Sequence, residues 1–103
     1  MRLRLGMYQH YKGNFYRVHG IGVSGLPLKD AKVISVAHHS EDIGKLVQVF
    51  SGRKFFILEG IIGKLERGEY IVYEALYESE LGSHAWFVES LEWEGKVGRF
   101  LNG

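Results

Sequence analysis

Histidine is the residue of this sequence best suited to acid–base or metal chemistry, and the chain has five: His10, His19, His38, His39 and His84. Imidazole titrates near neutral pH and is the commonest protein metal ligand. A catalytic zinc site needs three converging protein ligands, but no two of these histidines have the i, i+4 spacing of a helical pair. On a strand, the adjacent His38 and His39 point to opposite faces. We therefore predict no metal site.

The segment His38-His39-Ser40-Glu41 places a base, a hydroxyl and a carboxylate next to one another. Nucleophilic catalysis needs such groups within hydrogen-bond reach, and consecutive residues rarely meet in that geometry. The favoured interpretation is a capped turn, in which Ser40 and Glu41 accept hydrogen bonds from backbone N–H groups. A small hydrolase or ligand-dependent enzyme that uses His10, His38 or His39 with Glu41 is the alternative. The sequence favours a non-enzymatic role.

Aromatic and basic side chains are mixed near the start of the chain, at Tyr8, His10, Tyr11 and Lys12. Rings interleaved with cations bind extended peptides or single-stranded nucleic acid, and tryptophan is common at partner surfaces. We predict one binding surface that adds Trp86 and the histidine segment to these residues: Tyr8, His10, Tyr11, Lys12, His38, His39, Ser40, Glu41 and Trp86. The leading hypothesis is a non-catalytic binding or interaction module.

Two glycine clusters match nucleotide-binding loops only in part. The segment Gly60-Ile61-Ile62-Gly63-Lys64 lacks the spacing of a phosphate-binding loop. Gly20, Gly22 and Gly25 have the G-x-G-x-x-G spacing of a dinucleotide-binding loop. The sequence around them does not predict the βαβ unit in which that loop binds a dinucleotide. Both clusters are interpreted as turns or loops, so no cofactor is predicted.

The rest of the pattern is typical of short strands separated by glycine turns. Strands are predicted at 15–19, 32–37, 46–50, 54–58, 69–78, 84–88 and near 97–101, with a hairpin turn at 51–53. The segment 69–78 is apolar on both faces, which suggests a central strand covered on two sides. The segments 43–50 and 26–35 compete as helices, the first through its i, i+3, i+4, i+7 spacing. We expect a mainly β fold with at most one or two short helical turns. The expected architecture is a small barrel or a sandwich, with an SH3-like barrel as one of the alternatives.

Composition sets the broad class. The 103 residues suit a single β-rich domain, 1–103. The absence of cysteine excludes disulfides and thiolate zinc sites. No apolar run approaches the roughly 20 residues of a membrane span, and the first ten residues lack the apolar stretch of a secretory signal, so we predict a cytoplasmic protein without a membrane partner. The scarcity of Asn and Gln is typical of thermophile proteins.

Charge is unevenly distributed along the chain. Residues 1–51 carry seven basic and three acidic side chains, whereas residues 52–103 carry six and nine. Such asymmetry could steer an anionic partner to one end or favour head-to-tail self-association, but solvated strand faces that pair within the fold are the favoured explanation. A sequence pI near 8.0 is below that of a dedicated nucleic-acid binder, so nucleic acid is a weakly supported partner and a homo-oligomer a better one.

Four segments together form a recognisable pattern. Residues 6–18 read G-M-Y-Q-H-Y-K-G-N-F-Y-R-V, residues 37–41 read A-H-H-S-E, residues 71–77 read I-V-Y-E-A-L-Y, and Trp86 begins the last segment. This resembles a small bacterial family, domain of unknown function 1653, whose members open with G-x-Y-x-H-Y-K-G-x-x-Y-x-V and continue with A-R-H-S-E, V-V-Y-x-x-L-Y and W-V-R-P segments. The remaining residues look like two insertions, between Gly22 and Val36 and between Asp42 and Tyr70; another alignment places Val47–Phe50 on the family's tyrosine strand.

Two departures from the family pattern concern arginines. His38 stands where the family box has arginine, and the segment from Trp86 to Ser90 contains Glu89 but no arginine. A basic pocket that needed both arginines would not be kept here. The resemblance implies a compact bacterial β domain, and it transfers no catalytic or ligand-binding residue.

Overall fold

The computed structural model describes residues 6–9 and 14–91, and the statements below concern those residues. They form nine strands and no helix. The strands are β1 (Gly6–Gln9), β2 (Phe15–Ser24), β3 (Val33–His39), β4 (Leu46–Phe50), β5 (Phe56–Ile62), β6 (Glu69–Ala75), β7 (Glu78–Ser79), β8 (Gly82–Ser83) and β9 (Trp86–Ser90).

Six of the strands close into a barrel in the order β2-β5-β4-β3-β9-β6, because β6 also pairs with β2. The pairs β2–β5 and β3–β9 are parallel, and the other neighbours are antiparallel. Closure leaves no unpaired edge within the ring, which is the usual solution for a small antiparallel sheet. The predicted small, mainly β barrel is confirmed; its likeness to an SH3 domain stays a prediction.

Side-chain alternation fills the barrel and also covers part of its outer face. The interior cluster takes mainly aliphatic residues from five strands, with one tyrosine: Ala37, Val47, Val49, Leu58, Tyr70, Val72 and Val88. A second cluster, formed by Tyr16, Val18 and Ile71, lies on the other face of β2 and β6. Ile71 and Val72 are both fully buried, so the prediction that this segment is covered on both faces is confirmed.

Strand β2 is longer than predicted. The expected loop from Gly20 onward is wrong, because β2 continues to Ser24 after a bulge between Val18 and Gly20. Gly22 faces the interior, where an added Cβ would lie 2.8 Å from the Leu58 side chain. The glycines of this segment therefore permit a close approach of β2 to β5 instead of forming a loop.

The helical alternatives for 43–50 and 26–35 are wrong, and the strand predicted at 46–50 is confirmed. Residues 46–50 form β4, in which Val47 and Val49 point inward and pair with β3 and β5. The helical spacing that begins at Ile43 was outweighed by this β-branched alternation, since such residues pack well on a pleated surface. Residues 26–32 form a connection without helix, and 33–35 belong to β3. The hairpin through residues 51–55 is confirmed by the antiparallel pairing of β4 with β5. The strand expected near 97–101 lies outside the described residues.

The barrel has two ends, and the direction of each strand determines which of its residues lie at which end. We call the "His19 end" the one formed by His19, the end of β6 at Glu74, the start of β9 at Trp86 and the β4–β5 connection. We call the "His39 end" the one formed by His39, Tyr70 and Ser90. Glu74 and Tyr70 are four residues apart on β6, which separates the ends by about 13 Å along the strand.

Candidate functional site

The predicted histidine segment lies at the His39 end, but its two rings face different neighbours. The His38 ring lies 6.3 Å from that of Phe87, and the His39 ring makes an edge contact with Tyr70 at 6.0 Å. Both histidines belong to β3, so strand alternation separates their side chains, as predicted. The Nδ1 atom of His38 is buried and has no hydrogen-bond partner among the described residues.

The turn after His39 is capped by different side chains from those predicted. The backbone N–H of Glu41 donates to Nδ1 of His39 at 3.2 Å, and that of Gly44 donates to Oδ1 of Asp42 at 3.2 Å. The buried Ser40 Oγ accepts no hydrogen bond from the part of the chain that the structure describes. The predicted capping by Ser40 and Glu41 is therefore wrong, because His39 and Asp42 are the side chains that reach the free N–H groups.

The structure does not unite the predicted binding surface. His10, Tyr11 and Lys12 lie outside the described residues, and for Tyr8 only the backbone, in β1, is described. Trp86 is at the His19 end, whereas His39 and Glu41 are at the other. Trp86 pairs with Ala37, beside the histidine segment, but its ring stacks on His19, whereas the His39 ring contacts Tyr70.

Glu74 organises a cluster that was not predicted. One carboxylate oxygen accepts a hydrogen bond from Nε2 of His19 at 2.8 Å, and the other accepts one from Nδ1 of His84 at 2.6 Å. An ionised carboxylate only accepts hydrogen bonds, so both imidazoles donate to it. Glu74 keeps 12% side-chain exposure, against 22% for His19 and 67% for His84. The carboxylate is thus largely covered, and the outer histidine is open to solvent.

The three side chains of this cluster come from separate segments of the chain. His19 sits at the β2 bulge, and Glu74 is opposite Arg17 on β2 and opposite Trp86 on β9. His84 lies in the turn before β9 with φ of 57°, in the left-handed region that residues other than glycine seldom occupy. The N–H of Ala75 donates to the carbonyl of Ala85 at 2.9 Å, which fixes this turn against the end of β6.

Hydrogen bonding controls the ionisation of Glu74. Burial alone raises the pKa of the carboxyl group, but the hydrogen bonds from His19 and His84, together with the charges of both histidines, outweigh burial and lower the pKa below its ordinary value. Glu74 is therefore ionised at neutral pH and accepts hydrogen bonds from two imidazole rings.

His19 is also fixed by an aromatic stack. Its ring lies parallel to that of Trp86, with an interplanar angle of 6° and centroids 4.0 Å apart. A ring held by a stack on one face and a hydrogen bond at its edge has few alternative rotamers. The arrangement gives the His19 end a rigid polar–aromatic wall.

A cavity of about 310 Å³ opens beside this wall. It lies between the β2 bulge and the β4–β5 connection, and is lined by His19, Gly20, Ile21, Ser51, Gly52, Lys54, Phe55 and Phe56. Its volume is at the lower end of the range for small-ligand pockets. Lys54 is the one fully charged side chain in this lining, so the cavity combines phenyl rings, a rigid imidazole and a cation.

A second cavity, of about 390 Å³, lies at the His39 end. Its lining mixes three carboxylates with two cations and includes His39, Glu41, Asp42, Lys45, Glu66, Arg67, Tyr70 and Ser90. Charges of both signs surround this space, so it has less preference for one ligand class than the cavity beside His19.

One feature of the sequence could have pointed to Glu74 as a site residue. Tyr70, Val72 and Glu74 share one strand face, and Glu74 is the sole charged residue from 70 to 77. A lone carboxylate on an inward-facing position needs polar partners. Those partners, His19 and His84, are 55 and 10 residues away, and nothing in the sequence pairs them.

Within the described residues, no three His, Asp, Glu or Cys side chains are arranged to hold a metal ion. The same part of the chain has no helix long and apolar enough to cross a membrane. Comparison with protein-family models, with curated proteins and with solved structures gave no match.

Proposed function

We propose that this protein is a non-catalytic binding module that takes a small anionic ligand with an aromatic or apolar group in the cavity at the His19 end. The observation that carries the proposal is the fixed position of the His19 ring between Trp86 and Glu74. A site held rigid before binding loses less conformational entropy when a ligand enters.

The cavity lining supports the ligand class. Lys54 supplies a positive charge, and Arg53 precedes it in the same connection. Ser51 Oγ accepts a hydrogen bond from the Lys32 backbone N–H at 2.9 Å, and its hydroxyl proton suits an anionic oxygen. Phe55 and Phe56 offer ring surface to an apolar group.

Phenyl phosphate tests the proposal, with benzyl alcohol as the uncharged comparison, in a calorimetric titration. We expect phenyl phosphate to bind and benzyl alcohol to bind much more weakly. Lys54→Met should weaken phenyl phosphate binding about fivefold, since an exposed ion pair contributes up to about 1 kcal/mol. The matched control is Lys45→Met at the His39 end, which should not change the affinity. Equal binding of both probes, or equal effects of both variants, would contradict the proposal.

A small hydrolase with a His/Glu pair is the second candidate, and one observation favours it. His84 donates a hydrogen bond from Nδ1 to Glu74, which leaves Nε2 as the ring atom that could act as a base, as in a carboxylate–histidine pair. Hydrolysis of p-nitrophenyl acetate by the wild type and by His84→Gln tests it, with His38→Gln as the control. A rate that falls with His84→Gln alone would support hydrolysis; equal rates in all three proteins would contradict it.

We also propose the wider setting that the sequence indicates: a bacterial, cytoplasmic protein, related to domain of unknown function 1653, that self-associates. The support is the segment pattern from Gly6 to Val18 and the uneven charge distribution. Thermophilic origin rests on the scarcity of amide side chains alone.

A further inference from the structure

A groove on the outside of the barrel exposes apolar side chains next to carboxylates. It has a volume of about 440 Å³, and its lining includes Ile43, Tyr77, Glu78, Glu80, Leu81 and Phe87. Ile43 is 52% exposed, and Tyr77 and Leu81 are each 37% exposed. Apolar groups that stay open to water beside charged groups are typical of a docking surface.

The charge of this groove is negative. Glu78 and Glu80 belong to its lining, and no Lys or Arg occurs between Glu69 and Glu94 in the sequence. Ser83 donates a hydrogen bond to Glu78, which holds one carboxylate in place. The groove therefore suits a partner that brings a cation and a ring together.

The same chain presents such a group in the β4–β5 connection, outside the groove lining. The β4–β5 connection carries Arg53, Lys54 and Phe55, all exposed, with Phe55 at 47%. This tip is tightly folded, because a Cβ added to Gly52 would lie 1.9 Å from the Phe55 carbonyl oxygen. A rigid tip with two cations and one phenyl ring complements the groove in charge and chemistry.

We infer that the Arg53–Phe55 tip of one copy docks in the Ile43–Leu81 groove of a second copy. None of the tip residues lines the groove, and the cavity beside the tip shares no lining residue with the groove, so the two surfaces are separate on one chain. The two surfaces differ, which makes the contact head-to-tail and extends it to chains or a ring. One inserted phenyl ring buries roughly 150–250 Å², so the association is weak and, being partly electrostatic, sensitive to salt. The tip shares Lys54 and Phe55 with the ligand site proposed above, so a bound ligand would compete with the partner, and the test is made without ligand.

Sedimentation velocity of the complete chain tests this inference through two variants. Phe55→Glu replaces the phenyl ring of the tip by a carboxylate and leaves the groove unchanged. Glu80→Lys reverses a charge in the groove and leaves the tip unchanged. We expect the wild type to form species larger than a dimer at high protein concentration, and to lose them in 0.5 M salt. Each variant alone should be monomeric. An equimolar mixture should form a one-to-one dimer and nothing larger, because one intact tip and one intact groove remain.

Matched controls separate docking from a general effect of charge. Ile34→Glu changes an apolar side chain that is 45% exposed, and Glu41→Lys reverses a carboxylate that is not in the groove lining; both should associate as the wild type does. A monomeric wild type, single variants that still associate, or a mixture of folded variants that stays monomeric would each overturn the inference. Circular dichroism of every variant establishes that it is folded.

Discussion

The Glu74 carboxylate and the His19 imidazole, 55 residues apart in sequence, meet at 2.8 Å at one end of the barrel. The contact exists because the β2 bulge at His19 and the end of β6 are brought together by the antiparallel pairing of these strands. Trp86, directly opposite Glu74 on β9, completes the arrangement by stacking on the His19 ring. Three strands therefore contribute one side chain each to this cluster, and His19 is the one that lines the candidate ligand site.

Replacing Glu74 by Gln should destabilise the fold. The amide keeps the shape of the side chain but loses the charge that accepts both imidazole hydrogen bonds, and bonds to a charged partner contribute roughly 1.5–3 kcal/mol. We expect a loss of about 2 kcal/mol in urea unfolding at pH 7. Glu69→Gln, on the exposed start of the same strand, is the control and should change little. Equal stability of Glu74→Gln and the wild type would show that the cluster is not stabilising.

The contribution of Glu74 should depend on pH in the acid range. Because its pKa is lowered by folding, the ionised form contributes stability at pH values above the ordinary carboxyl pKa of 4.5. That contribution is lost as the pH falls through the lower pKa of the folded state. The difference in unfolding free energy between the wild type and Glu74→Gln should therefore shrink as the pH falls from the ordinary carboxyl pKa of 4.5 toward the lower pKa of the folded state. A difference that grew over this acid range would contradict the sign of the shift.

Gly22 should tolerate no side chain. In Gly22→Ala the new methyl carbon would lie 2.8 Å from Leu58, which is 1% exposed, and overpacking of this kind costs about 1–3 kcal/mol. Adding Leu58→Val should recover part of the loss. In Gly25→Ala, the control, the new carbon meets no atom closer than 4.0 Å. Denaturant unfolding of the four proteins measures the effect, and equal stability of the two alanine variants would contradict it.

Trp86 should act on ligand binding through His19. Trp86→Ala removes the stack that holds the His19 ring, so phenyl phosphate should bind about fivefold more weakly, whereas Trp86→Phe should keep most of the affinity because a phenyl ring still stacks. Calorimetric titration of folded variants gives the comparison. Identical affinities for the alanine variant and the wild type would mean that the stack has no part in the site.

The fold was more predictable than the site, for a physical reason. Alternating β-branched and aromatic residues specify strands locally, so β4, β5 and β6 followed from the sequence. The extension of β2 through Gly20 and Gly22 did not, because only the packing of Leu58 on Gly22 makes those glycines part of a strand. The helical spacing at 43–50 was a local signal that pairing with two neighbouring strands overrode.

The site depends on contacts that no local pattern encodes. Trp86 was predicted as a binding residue, but its expected neighbours His38 and His39 belong with Phe87 and Tyr70. His19 and His84 were evident only as histidines, and Glu74 only as a lone charge on an apolar face. Which groups meet is decided by the closure of the barrel, and in particular by the pairing of β6 with both β2 and β9.

The most direct test of the central claim is an NMR titration of the ¹⁵N-labelled protein with phenyl phosphate. Binding at the His19 end predicts that the amide signals of Gly20, Gly52 and Phe55 shift with a common affinity, while those of Lys45 and Arg67 at the His39 end stay in place. Lys54→Met should reduce those shifts at the same ligand concentration. Shifts centred on Lys45 and Arg67, or no saturable shift at all, would contradict the assignment of the ligand site.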